Sequence, residues 1–257
     1  MVGLSPVACA SGRGRAQAEV QVFAASSLAS AFQAAAPIFA ETSPGMHLAL
    51  QFAGSQQLRT QLVEGARADV FASADEREMQ AVVDAGLVDP ARVMPLASNT
   101  LVVILAEGNP GRIESVSDLA RPGLKLALAD PSVPVGRYTH SLLAEYARAR
   151  GAEPDFVDQV WANAVSLEQS VAGVGTKVVA GEVDAGIVYR TDAVSGVASG
   201  LPFLETPPGV GLRIAYRIAS LREAPNPRGA ELFVRWVTSV SGQAILAEFG
   251  FLPAGEP

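Results

Sequence analysis

An α/β fold with largely parallel sheets is what this sequence predicts, on three observations. Short β-like runs alternate with helix-like segments from Val20 to the end, as when crossover helices join parallel strands. Nearly half of the 257 residues are apolar, enough to bury a core in one large domain or in two lobes of roughly 100 residues each. Only 18% are charged, too few for a disordered, solvating chain. No apolar run reaches the ~18 residues with which a helix crosses a bilayer.

Taken in order, Val20–Ala25 reads as a buried strand. The following SSLASAFQAAAPIFAE places Leu28, Ala31, Phe32, Ala35 and Phe39 at helical spacing. His47–Phe52 is a second strand, SQQLRTQLVEGA a helix with Leu58 and Leu62 on one face, and Asp69–Ser73 a third strand. Asp75-Glu76-Arg77-Glu78 has the acid-x-x-Glu form of a capping box and opens a helix to Ala85. Asn99–Ala106 and Lys125–Ala129 read as strands, and Tyr138–Arg150 as a helix carrying Leu142, Leu143 and Tyr146. Ser170–Gly181 is helical with Val171, Val174 and Val178 in phase, and Asp184–Tyr189 and Gly211–Ala219 are strands. Ala230–Phe249 closes as one amphipathic helical region with Leu232, Phe233 and Trp236. Pro- and Gly-rich loops flank the strands near Leu101–Leu105 and Leu212–Arg217, which marks both as crossings between lobes. There is no strict repeat and no low-complexity tract.

The net charge is −7. An acidic surface argues against nucleic acid, whose phosphates it would repel. A small anion is not excluded, because backbone dipoles act locally while a diffuse field is screened over about 8–10 Å. Residues 1–18 read as an export signal: MVGLSPVACA is apolar, and Ala16-Gln17-Ala18 is an A-x-A cleavage pattern before Glu19. Pro6-Val7-Ala8-Cys9 is similar to a lipoprotein box with proline for the usual leucine, so lipid anchoring through Cys9 is the lesser expectation. Cys9 is the one cysteine, which leaves a mature chain without disulfide or thiol chemistry.

One local pattern recurs four times: strand, short polar or Gly/Pro turn, helix start. It falls at Phe23–Ser27, at Phe52–Ser55, at Asp130–Gly136 and at Glu168–Val171. A helix start presents unpaired N–H groups and the positive end of the macrodipole, and several such ends together would cage an anion without lysine or arginine. Ser26, Ser27 and Ser55 would add hydroxyl donors. The same serines could equally be helix caps, and the residues alone leave both readings open.

Phe23-Ala24-Ala25-Ser26-Ser27-Leu28, Phe52-Ala53-Gly54-Ser55, Ala68–Asp75 and Gly186–Ala193 resemble, in order and spacing, the signature segments of the periplasmic molybdate-binding proteins of ABC transporters. Asp130–Gly136 and the closing Gly242-Gln243 and Phe249-Gly250-Phe251 are in register as well. The resemblance covers about Val20 to Phe251. It implies the type II periplasmic-binding-protein fold: two α/β lobes, residues 19–101 plus 216–257 and residues 102–215, joined by two hinge strands around a cleft. It further implies binding of molybdate, and of tungstate, through Ser27 and Ser55 (hydroxyl and N–H), the N–H groups of Val135 and Val171, and the Tyr189 hydroxyl. Val135 stands where relatives commonly have alanine, and Ser26, a small residue in relatives, is expected to act as a cap. The implied protein is an extracytoplasmic monomer that hands its anion to a membrane permease, without cofactor, catalysis or directly bound metal ion.

Other readings weigh less. Asp69 and Asp75 look like paired carboxylates, but fit a strand start and a helix cap. His47 and His140 lie in unrelated contexts, and no Cys/His cluster has metal spacing. Neither a nucleophile elbow nor a phosphate loop is present, and Trp161 and Trp236 suit packing. The alternatives are a carrier of another oxyanion such as sulfate or phosphate, a regulator's ligand-sensing domain, for which residues 1–18 are short of a helix-turn-helix, and a serine hydrolase using Ser27, for which no histidine is suitably placed.

Overall fold

The computed structural model describes residues 18–207, 210 and 213–254. The expected export segment through residue 17, with Cys9, lies outside the described residues, as do Gly211 and Leu212 at the start of one expected strand. The first part of the chain runs β1 (Ala18–Ala25), α1 (Ala29–Thr42), β2 (Met46–Ala53), α2 (Ser55–Val63), β3 (Val70–Ser73), α3 (Glu76–Asp84) and β4 (Met94–Asn99). The middle runs β5 (Leu101–Leu105), β6 (Leu126–Ala129), α4 (Pro134–Arg150), α5 (Phe156–Ala162), β7 (Ala164–Glu168), α6 (Val171–Val179), β8 (Ala185–Tyr189), α7 (Arg190–Ser195) and β9 (Phe203–Glu205). The chain then returns as β10 (Ile214–Ser220), α8 (Pro227–Val237) and α9 (Val240–Glu248).

These strands form two five-stranded sheets, ordered β2-β1-β3-β10-β4 and β7-β6-β8-β5-β9. In each sheet one strand runs against the rest: β10 is antiparallel to β3 and β4, and β5 is antiparallel to β8 and β9. Both reversed strands directly follow a crossing from the other sheet. The C-terminal ends of the parallel strands in each sheet therefore share the edge at which the chain crosses. Ligands of open α/β sheets bind at such edges.

The crossings are short. Asn99 pairs with Ile214 in the first sheet, and Leu101 pairs with Tyr189 in the second. The run expected as one strand, Asn99–Ala106, is thus split at Thr100. Leu101 belongs with the second sheet, while Ile214 and Ala215 pair in the first, one or two residues off the boundaries read from the sequence.

Helix α1 buries Ala31, Phe32, Ala35 and Phe39, the apolar spacing that makes it helical in the first place. Phe39 meets Phe233 at 5.4 Å and Trp236 at 5.5 Å, both edge-on, a favourable ring geometry that gives Trp236 a packing role. The closing helical region is two helices rather than one, broken at Thr238 and Ser239. Leu232, expected on its apolar face, is exposed, because α8 buries Ala230, Phe233, Val234 and Val237 instead.

Asp75 caps α3 by accepting from Arg77 N–H at 2.8 Å, but the reciprocal half of the expected capping box is not made. Glu78 pairs with Arg59 at 2.6 Å, and Asp75 N–H donates to Ser73 Oγ at 3.1 Å. Asp69 is buried and structural: its carboxylate accepts from Gln21 N–H at 2.7 Å and Asn226 N–H at 2.6 Å. Those two bonds staple β1 to the segment leading into α8.

Candidate oxyanion-binding site

Ser27 and Ser55 follow neighbouring parallel strands whose ends, Ala25 and Ala53, are paired. Ser27 lies in a 3-10 turn, Ser26–Leu28, before α1, and Ser55 is the first residue of α2. Neither serves as a helix cap. The capping positions are held by Ala25, Leu28 and Gly54, none with a side-chain capping bond. Ser26, expected to cap, is exposed and is itself the first residue of the 3-10 turn, one position past the cap at Ala25. Ser170 alone of these serines caps, accepting from Gly173 N–H at 3.2 Å.

The two hydroxyls are instead tied to tertiary partners. Ser55 Oγ accepts from Ala74 N–H at 3.0 Å. Because that bond occupies a lone pair, the hydroxyl proton remains free to donate. Ser27 Oγ lies 3.0 Å from the Tyr216 hydroxyl.

In the second sheet, the ends of β6, β7 and β8 are adjacent and lead to Val135, Val171 and Tyr189. Val135 is the second residue of α4 and Val171 the first of α6, positions whose N–H groups have no intrahelical acceptor. The helix at Val135 begins earlier than the expected Tyr138, because Pro134 supplies a preset first position. Gly136 is needed there: a Cβ would stand 2.1 Å from the Asp130 carbonyl oxygen, which folds over the first turn.

Tyr189 ends β8 and precedes α7. Burial pushes its hydroxyl well above its ordinary pKa, with smaller contributions from Tyr216, Tyr138, Asp192 and Asp75. It is held as a neutral donor. Tyr138, on α4, is raised first by burial and then by the charge of Asp75, which caps α3. Nearby guanidinium groups are engaged elsewhere: Arg137 donates to Ser132 O at 2.8 Å, and Arg190 to Glu205 and Gly250 O at 2.8 and 2.9 Å. Among the described residues no group of three or more His, Cys, Asp or Glu could hold a metal ion.

Three residues at this edge escaped the sequence reading. Asn99 is buried at the crossing and donates to Thr191 Oγ1 at 3.0 Å and toward the Tyr216 hydroxyl at 3.4 Å. Burial pushes Tyr216 up to about 12, partly offset by its bonds with Asn99 and Ser27. Asp192 is pushed up to about 6 by burial, against the pull of the Tyr189 backbone amide, and among the described residues its Oδ2 has no hydrogen-bond partner. A tyrosine inside a strand reads as core, and only the break at Thr100 could have drawn attention to Asn99.

Residues 20–252 match the family of bacterial extracellular solute-binding proteins. The chain belongs to this family. Its relatives include the molybdate-binding protein ModA of Mycobacterium tuberculosis, 39% identical with 96% of this chain and 89% of that one covered. Among solved structures, the periplasmic molybdate-binding protein of Azotobacter vinelandii superposes with a TM-score of 0.73 at 22% identity, covering 91% of this solute-binding protein and 98% of the other. The sulfate-binding protein SubI of Mycobacterium tuberculosis gives a TM-score of 0.74 at 25% identity, with 91% and 86% covered. The type II fold and the likeness to molybdate-binding proteins expected from the sequence motifs are thus borne out.

Proposed function

We propose that this solute-binding protein captures molybdate or tungstate between its lobes and delivers it, outside the cytoplasm, to the membrane permease of an ABC transporter. The observation that carries the reading is that Ser27 and Ser55, neither of them a helix cap, and Val135, Val171 and Tyr189 all stand at or just past strand ends on the edge where the chain crosses between the sheets, a set of neutral donors. The 39% identity to ModA across nearly the whole chain supports molybdate as the oxyanion. An open form takes the dianion on one lobe, and closure brings the other lobe's donors round it. Neutral dipoles hold a dianion without the fixed countercharge that would oppose its release. The protein acts as a monomer, with no chemical step.

Sulfate is the second reading, favoured by the likeness to SubI. Molybdate and sulfate carry the same charge, but molybdate's bonds are longer, so donors set for the larger radius leave a smaller anion out of reach of some of them. Each buried donor left unpaired costs about 1–3 kcal/mol. Titration of the purified protein, followed by melting temperature, decides the matter. Molybdate and tungstate should stabilise at micromolar concentration, adding about 4 kcal/mol at a thousand times Kd. Sulfate should do little at roughly a hundredfold higher concentration. Equal stabilisation by sulfate would move the protein to the neighbouring carriers.

A further inference from the structure

We propose that Asn99 and Tyr216 are positioning residues that aim the Ser27 hydroxyl proton into the anion site through a one-way chain of hydrogen bonds. The inference rests on Ser27 being an anion ligand. An oxyanion without a proton only accepts hydrogen bonds, so every hydroxyl facing it must present its hydrogen rather than a lone pair. Serine can do either, and something must choose.

The choice begins at the lobe crossing. Asn99 Oδ1 accepts from Thr100 N–H at 2.9 Å. That bond fixes which way the amide faces and turns Nδ2 toward Thr191 Oγ1 at 3.0 Å and the Tyr216 hydroxyl at 3.4 Å. An amide nitrogen donates and cannot accept. The Tyr216 oxygen therefore receives a hydrogen from Asn99, and its own single hydrogen goes to Ser27 Oγ, 3.0 Å away. Ser27, accepting there, keeps its hydrogen for the cleft. Tyr216 and Asn99 are both fully enclosed, so bulk water does not compete to reverse the order. Ser55 has the same arrangement with a backbone donor, since its oxygen accepts from Ala74 N–H at 3.0 Å. The amide also spans the lobes: Thr191, which takes its other hydrogen, lies two residues after Tyr189.

Calorimetric titration with sodium molybdate tests the chain. Tyr216→Phe keeps the ring that packs edge-on against Phe251 at 5.2 Å and removes the hydroxyl. It should weaken binding about tenfold in the wild-type background and by less than about twofold in Ser27→Ala. Asn99→Asp, assayed at pH 8, keeps the acceptor for Thr100 N–H but would accept from Tyr216, turning the chain round. It should cost more than about tenfold, falling below about threefold in Ser27→Ala. An equal loss in both backgrounds would mean that the added charge acts through its field alone, and would overturn the proposal. If Asn99→Asp fails to fold by circular dichroism, Tyr216→Phe decides, and wild-type affinity in that variant overturns the chain while leaving the anion site standing. Wild-type protein that binds no molybdate, or Ser27→Ala binding as tightly as wild type, overturns the underlying reading and the chain with it.

Discussion

Replacing Ser55 with alanine should damage the protein in two separable ways, because its oxygen and its hydrogen have different partners. The oxygen accepts from Ala74 N–H at 3.0 Å, joining the start of α2 to the end of β3. Without it, a half-buried N–H loses its bond, at a cost of about 1 kcal/mol, which for a chain of this size lowers the melting temperature by about 2–4 °C. The hydrogen faces the proposed anion, and a bond to a charged group is worth about 1.5–3 kcal/mol, so the affinity for molybdate should fall about ten- to a hundredfold. Scanning calorimetry on the ligand-free protein reads the first loss and isothermal titration the second. Ser26→Ala is the control, since Ser26 is exposed and holds no cap position, and both readouts should stay at wild type. A Ser55→Ala protein that melts lower but binds molybdate normally would refute the assignment of Ser55 to the site. Equal losses in the Ser26 variant would show that the affected surface lies on the wrong side of the turn.

Tyr189→Phe should weaken molybdate about ten- to a hundredfold by titration calorimetry, with His140→Ala unchanged; the reverse order would place the site elsewhere. Asp192 binds its proton more tightly in the native state, with a pKa of about 6, than in the unfolded chain, where an aspartate titrates near about 3.9. Its contribution to stability is therefore present below about pH 4 and lost as the pH rises through about 6. Asp192→Asn should match wild type near pH 4 and exceed it by about 2–3 kcal/mol at pH 8 in denaturant titrations; a gap that does not change with pH would contradict the burial of that carboxylate. Gly136→Ala places a Cβ 2.1 Å from the Asp130 carbonyl oxygen, so the first turn of α4 must shift. Molybdate affinity should drop by more than about tenfold along with ~1–3 kcal/mol of stability, and tight binding in that variant would remove Val135 from the donor set.

Much of the scaffold was legible because the signals that build it are local. The spacing of Ala31, Phe32, Ala35 and Phe39 requires a helix with one buried face whatever it packs against. The Asp75 cap is likewise written in its own turn. The motifs around Ser27, Ser55 and Tyr189 were legible as a family resemblance, and the family match bears that out. Where an outcome depends on a distant partner, the sequence stopped short. Glu78 had the right spacing to complete a capping box with Asp75, but Arg59, nineteen positions earlier, offers a charged partner and takes it. Leu232 had an apolar side chain on an amphipathic helix, yet the rotation of α8 is set by Phe233 meeting Phe32 and Phe39. The serines show the division most clearly. By local pattern each could have been a helix cap, and only the tertiary structure decides that Ser55 answers to Ala74, and Ser27 to a tyrosine 189 positions away. Asn99, Tyr216 and Thr191 come from three separate stretches of chain. No local pattern can join them, because their contact exists only once two reversed strands have brought both sheets to a common edge.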